Sequence, residues 1–123
     1  MLFDLLEVRE KLEGQAAYLA AKRSTQQDLH RITKAFNAMN EAESDEENKA
    51  LLARLDFEFH RSIYEASHNA VLIHTLQNLM RLMQDSVLVS VDNLYHRGNA
   101  KSRIDDYHRL IFNSIIGLSL IHI

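Results

Sequence analysis

Residues 53–72 read ARLDFEFHRSIYEASHNAVL, and their spacing decides the fold. Leu55, Phe59 and Ile63, with Leu52 just upstream, recur at three- and four-residue steps, the period of an amphipathic helix and not of a strand. The run breaks at Ser67-His68-Asn69, and Asn69 suits the N-cap of a following helix. At 100° per residue, Asp56 and His60 fall one turn apart, adjacent to the apolar line and turned partly toward the interior. A carboxylate and an imidazole four residues apart can share a metal ion or simply bond each other, and the pair alone does not choose between these.

Outward from this stretch the same period continues. Leu2, Leu5, Leu12, Ala16 and Leu19 mark a first helix over 2–22, and Thr25 with Asp28 forms a capping-box signal for a second helix running to about Asn40. Leu29, Ile32, Phe36 and Met39 are that helix's inward line. The acidic run NEAESDEEN at 40–48 reads as a solvated connector to the third helix, about 47–67. A fourth spans about 70–94, with Val71, Leu72, Leu76, Leu79, Met83 and Val87 inward. After the loop HRGNAKS at 96–102, Ser102 caps a fifth that ends near Ile116. The expected fold is all-α, an antiparallel bundle of about five helices forming one domain over 1–117. The hexapeptide LSLIHI at 118–123 has no helical pattern, and its back-translation matches a transposon end used in sequencing libraries. It is expected to be a non-native tail, so His122 carries no weight.

Composition narrows the function. The 123 residues include no proline, three glycines and no cysteine, and the formal charge is −3. The near absence of helix breakers favours the bundle. Without cysteine there is no disulfide, thiolate metal site or cysteine nucleophile. A net negative chain lacks the concentrated basic surface that grips DNA phosphates. No apolar run approaches the roughly 20 residues needed to span a bilayer, and the N-terminus lacks a signal-peptide layout. A cytoplasmic protein is expected.

Two further residues interrupt apolar stripes. Ile104, His108, Ile111 and Ile115 follow a 4-3-4 spacing, which puts an imidazole where a leucine belongs. A buried imidazole needs a hydrogen-bond partner or a metal. His108 is thus either a satisfied core histidine or a ligand joining Asp56 and His60, a donor set that suits zinc and related divalent ions. Arg9 lies on the face of Leu5, Leu12 and Ala16, either as a snorkelling residue paired with Glu13 or Glu7 or as an anion anchor. His30, His68 and His96 fall at helix ends or loops and are expected in solvent, with His74 off the core line. Tyr18, Tyr64 and Tyr107 read as packing residues.

Taken together, FDLLEVREKLEGQAAYLAAKRST, DFEFHRSIYEASHNAVLIHTL and YHRLIFNSII resemble the effector-binding domain of FadR-type GntR transcription regulators, nearest to members that respond to pyruvate, lactate or glycolate. The resemblance covers residues 2–117. It implies a dimerising helical bundle that senses a small organic acid, of the 2-hydroxy or 2-oxo class, beside a divalent metal ion. Asp56 and His60 match that family's Asp-x-x-x-His pair, His108 matches the first of its two later histidines, and Arg9 matches the arginine of its first-helix E-x-R segment. The last histidine would lie on a final helix beyond this stretch, and DNA would be contacted through an N-terminal winged helix-turn-helix that the stretch does not contain. A sensor and not an enzyme is expected. The alternatives are a metal-dependent helical-bundle enzyme and a ligand-free dimerisation bundle.

Overall fold

The computed structural model describes the backbone of residues 2–42, 48–95 and 108–117, with side chains described over 4–42, 48–83 and 108–117. The described residues form five helices and no strand: α1 (Leu2–Arg23), α2 (Gln26–Glu41), α3 (Lys49–Ala66), α4 (Ala70–Tyr95) and α5 (108–117). The all-helical fold read from the sequence is the fold observed. The acidic connector at 43–47, the loop at 96–102 with His96, the Ser102 cap, Ile104, Tyr107 and the tail at 118–123 lie outside the described residues, as do the side chains of Leu2 and Val87.

Helix α3 is the central element, packed against α1, α2 and α4, while α1 also packs against α4. Phe59, Ile63 and Tyr64 are fully buried, as are Ala16 and Ala20 of α1, Ile32 of α2 and Leu76 of α4. Their removal from water is the main stabilising contribution. Helix α5 closes the bundle by placing Ile115 in this core and stacking Phe112 on Phe36 at 4.3 Å between ring centroids.

The helix ends are set by side-chain chemistry. Thr25 Oγ1 accepts from Asp28 N at 3.1 Å and Asp28 Oδ2 accepts from Thr25 N at 2.9 Å, so the capping box is complete. Asn69 Oδ1 accepts from Leu72 N at 3.0 Å, which caps the start of α4 as expected. Between α3 and α4, His68 takes φ 53°, a left-handed turn that costs a non-glycine residue about 1 kcal/mol. Its Nε2 lies 2.6 Å from Oδ2 of the buried Asp28, which offsets that cost. His68 is thus half-exposed but anchored, where the sequence reading left it simply in solvent.

One core assignment is corrected. Val71 is 77% exposed. The inward line of α4 runs through Leu72, Leu76, Met80 and Met83, and Val71 shares the outer face with exposed Thr75, Asn78 and Leu82. Val71 lies 100° around the helix from Leu72, on the side where α4 has no packed neighbour among the described residues. Among the described residues, no helix is long and apolar enough to cross a membrane.

Candidate metal centre

Helix α3 carries both members of the Asp-x-x-x-His pair on the side facing α1 and α5. His60 is 2% exposed and His108 6%, while the Asp56 side chain keeps 21% of its surface, the outlet of the cluster to solvent. Asp56 Oδ1 lies 2.8 Å from His108 Nε2 and 3.4 Å from His60 Nε2. One donor atom from each of Asp56, His60 and His108 falls within 4.8 Å of the other two. Ligand atoms around a tetrahedral zinc at its usual bond lengths stand about 3.4 Å apart; the Asp56–His60 contact already has that spacing, and the Asp56–His108 contact would open slightly to admit an ion. The three residues singled out in the sequence therefore converge. His108 enters because the 108–111–115 stripe turns it inward at the start of α5.

Phe59 forms the apolar wall of the site. Its ring meets His60 and His108 edge-on, with centroids 5.6 and 5.5 Å away, and the two imidazoles are 5.4 Å apart. This wall strengthens every charge interaction in the cluster, because little water is available to screen it.

Behind the imidazoles stands a second charged layer from α1. Arg9 is turned inward, and its Nε donates to Glu13 Oε2 at 3.1 Å. This is the pairing the sequence offered as the structural alternative to an anion anchor. Tyr64 Oη donates to the same Glu13 oxygen at 3.1 Å, so the tyrosine is a buried polar member of the cluster as well as a packing residue. The other oxygen, Glu13 Oε1, lies 2.5 Å from His60 Nδ1. That contact is close but off hydrogen-bond alignment, and neither atom has another partner or access to solvent. Glu13 entered the sequence reading only as a mate for Arg9. Its own signal was present: Arg9, Glu13, Ala16 and Ala20 are spaced 4-3-4, which places the carboxylate on the buried stripe.

These contacts govern protonation. Burial works against charge on His60, but Glu13 and then Asp56 override it and raise the imidazole to about 9. Burial likewise opposes the charge on Glu13, yet His60, then Arg9 and Tyr64, hold its carboxyl down at about 2. Asp56 is held well below the ordinary carboxylate range because His60 and His108 outweigh desolvation. Burial disfavours the Arg9 cation too, but Glu13 foremost, then Tyr64 and Asp56, keep it charged. Burial and the adjacent Glu13 keep the Tyr64 hydroxyl protonated despite Arg9.

Residues 4–117 match the FCD domain family. The chain is 46% identical over 117 residues to the Glc operon transcriptional activator of Escherichia coli (strain K12), a match covering 94% of this chain and 46% of that protein. It is 33% identical over 113 residues to the putative L-lactate dehydrogenase operon regulatory protein of Escherichia coli (strain K12), covering 92% of this chain and 42% of that protein. Against the HTH-type transcriptional regulator LutR of Bacillus subtilis (strain 168) it is 33% identical over 112 residues, covering 90% of this chain and 50% of that protein. The chain spans about half the length, or less, of these curated relatives. The family match over nearly its whole length, together with the helical bundle, makes this chain a member of the FCD-domain family, the regulatory domain of FadR-type GntR transcription regulators.

Proposed function

We propose that Asp56, His60 and His108 hold one divalent metal ion, zinc by their chemistry, and that a small 2-hydroxy or 2-oxo acid binds beside it as the effector of a transcription regulator. The observation that carries this reading is the convergence of one carboxylate and two imidazoles within 4.8 Å at a buried helix junction. The charge balance supports it. The Glu13 and Asp56 carboxylates are balanced in the poorly solvated site by the Arg9 guanidinium and the protonated His60 ring, so the cluster already accommodates a cation at His60, and a metal ion would take the place of that ring proton. A three-ligand divalent site supplies Lewis acidity and open positions for exogenous oxygens.

The chain's own residues supply the rest. Asp56 and the two histidines fix the donor geometry, Phe59 keeps water from their apolar side, and Arg9 contributes the cationic edge that an effector carboxylate meets. One of the relatives is named for an L-lactate dehydrogenase operon, in keeping with an acid of this class. In the whole regulator, acting in the cytoplasm as a homodimer with an N-terminal winged helix-turn-helix, the effector alters DNA affinity to the extent that it binds one dimer geometry more tightly than the other. The domain then works as a sensor and performs no catalysis.

Titration calorimetry with L-lactate on zinc-loaded protein tests the reading. Binding is expected in the wild type and is expected to be lost in His60→Ala. Equal lactate affinity in both proteins removes the metal from the mechanism.

A further inference from the structure

The cluster contains one residue whose contacts are divided between two purposes. Glu13 presents two oxygens in different directions from α1. Oε2 is taken by Arg9 Nε and Tyr64 Oη, each at 3.1 Å, which pins the carboxylate in place from both sides. Oε1 is left to His60 Nδ1 at 2.5 Å, within hydrogen-bond distance though out of alignment, and those two atoms are sealed from solvent with no other partner, so a small turn of either group completes the bond. The opposite ring nitrogen, Nε2, faces Asp56. An imidazole can give only one nitrogen's lone pair to a metal, and the hydrogen bond on the other nitrogen decides which one it gives.

We infer that Glu13 is a positioning residue for the metal centre: it holds the proton of His60 on Nδ1 and so commits Nε2 to the ion, with Arg9 and Tyr64 fixing the carboxylate that does this. The inference rests on the proposed metal site and adds an assignment to α1, which supplies no ligand of its own. It explains why a carboxylate, a guanidinium and a phenol are kept together behind two histidines where apolar side chains would be easier to bury. It also makes the first helix a route by which a change at Arg9 reaches a metal ligand, through two contacts, Arg9 to Glu13 and Glu13 to His60.

Two measurements on the 123-residue chain test this. In zinc-loaded wild type, long-range nitrogen-15 correlation spectra of the histidine rings should show His60 protonated at Nδ1 and metal-bound at Nε2. His60 bound through Nδ1 overturns the inference without any variant having to fold. In competition with a chromogenic chelator, Glu13→Gln should weaken zinc binding at least tenfold, the effect usual for losing such an outer carboxylate. Tyr64→Phe, which removes one of the two donors to Oε2, should weaken it less. Wild-type zinc affinity in Glu13→Gln also overturns the inference. His60→Ala separates the two ideas: if it loses zinc while Glu13→Gln binds normally, the metal site stands and the role of Glu13 falls. If the wild type binds no zinc, both fall.

Discussion

Asp56 with His60, and Asp28 with His68, are the same two residue types in contact, and they do different work. At the corner of the bundle, the Asp28 carboxylate meets three groups, Thr25 N, Arg31 at 2.6 Å and His68 at 2.6 Å, and its own N–H donates to Thr25 Oγ1. His68 keeps 47% of its side chain in solvent, and Arg23 donates to the Ser67 carbonyl beside it at 3.3 Å. The Thr25 and Arg31 contacts lie within the first turns of α2, while those of His68 and Arg23 tie the ends of α2 and α1 to the end of α3. At the centre, more than one turn back from the end of α3, the histidine is sealed off, a second histidine faces the same aspartate, and a second carboxylate stands behind the ring. An aspartate–histidine pair alone is thus uninformative. Burial and the number of independent donors aimed at one point separate a cap from a candidate ligand site.

The comparison breaks most visibly if the central carboxylate is removed. Glu13→Ala leaves Arg9 buried without its partner and removes the carboxylate charge facing His60 Nδ1, and should cost about 3–5 kcal/mol of unfolding free energy in denaturant titrations. A loss below about 1 kcal/mol shows that the cluster is better solvated than its burial indicates.

Asp28→Ala at the corner should cost less, about 1–2 kcal/mol, from loss of the capping box and the tie to His68. It should leave zinc affinity unchanged. If zinc binding falls with it, the two regions are coupled and do not act separately.

Acid sharpens the contrast further. Burial opposes charge on the Asp28 carboxyl, but Thr25, His68 and Arg31 bring it down to about 2 from the ordinary 3.8. A depressed folded value means the stabilisation is present above the unfolded pKa near 4 and is lost as pH falls toward 2. It amounts to about 2 kcal/mol at most. Unfolding curves of Asp28→Asn and wild type should therefore converge between pH 4 and pH 2. A constant separation across that range shows that Asp28 contributes through shape and not through charge.

The smallest effect belongs to the outer face of α4. Val71→Ser should change stability by less than about 0.5 kcal/mol, whereas Leu72→Ala, one residue on, should cost about 2–4 kcal/mol. Equal losses at both positions contradict the observed register.

How far the sequence reached follows from the same physics. Periodicity located the helices and their caps at Thr25 and Asn69, because helix formation and capping depend on residues within one turn. Asp56, His60 and His108 stood out because polar residues on or beside an apolar stripe are costly to bury and therefore conspicuous. Glu13 was misjudged because its i, i+4 pairing with Arg9 looked complete in one dimension, while its second oxygen is occupied by a residue 47 positions away in sequence. His68 is exposed as the sequence implies, while its bond to Asp28, 40 positions away, is not legible in one dimension. Val71 was placed inward because the start of α4 is apolar at 71, 72 and 73, and only packing against α3 selects which of these faces the core.

The central claim is that Asp56, His60 and His108 form a single site on two helices. Calorimetric titration of zinc into wild type, His60→Ala and His108→Ala tests it most directly. One ion per chain in the wild type and loss of that binding in both variants is the predicted result. Wild-type zinc affinity in His108→Ala would show that α5 takes no part in the site and would contradict the account.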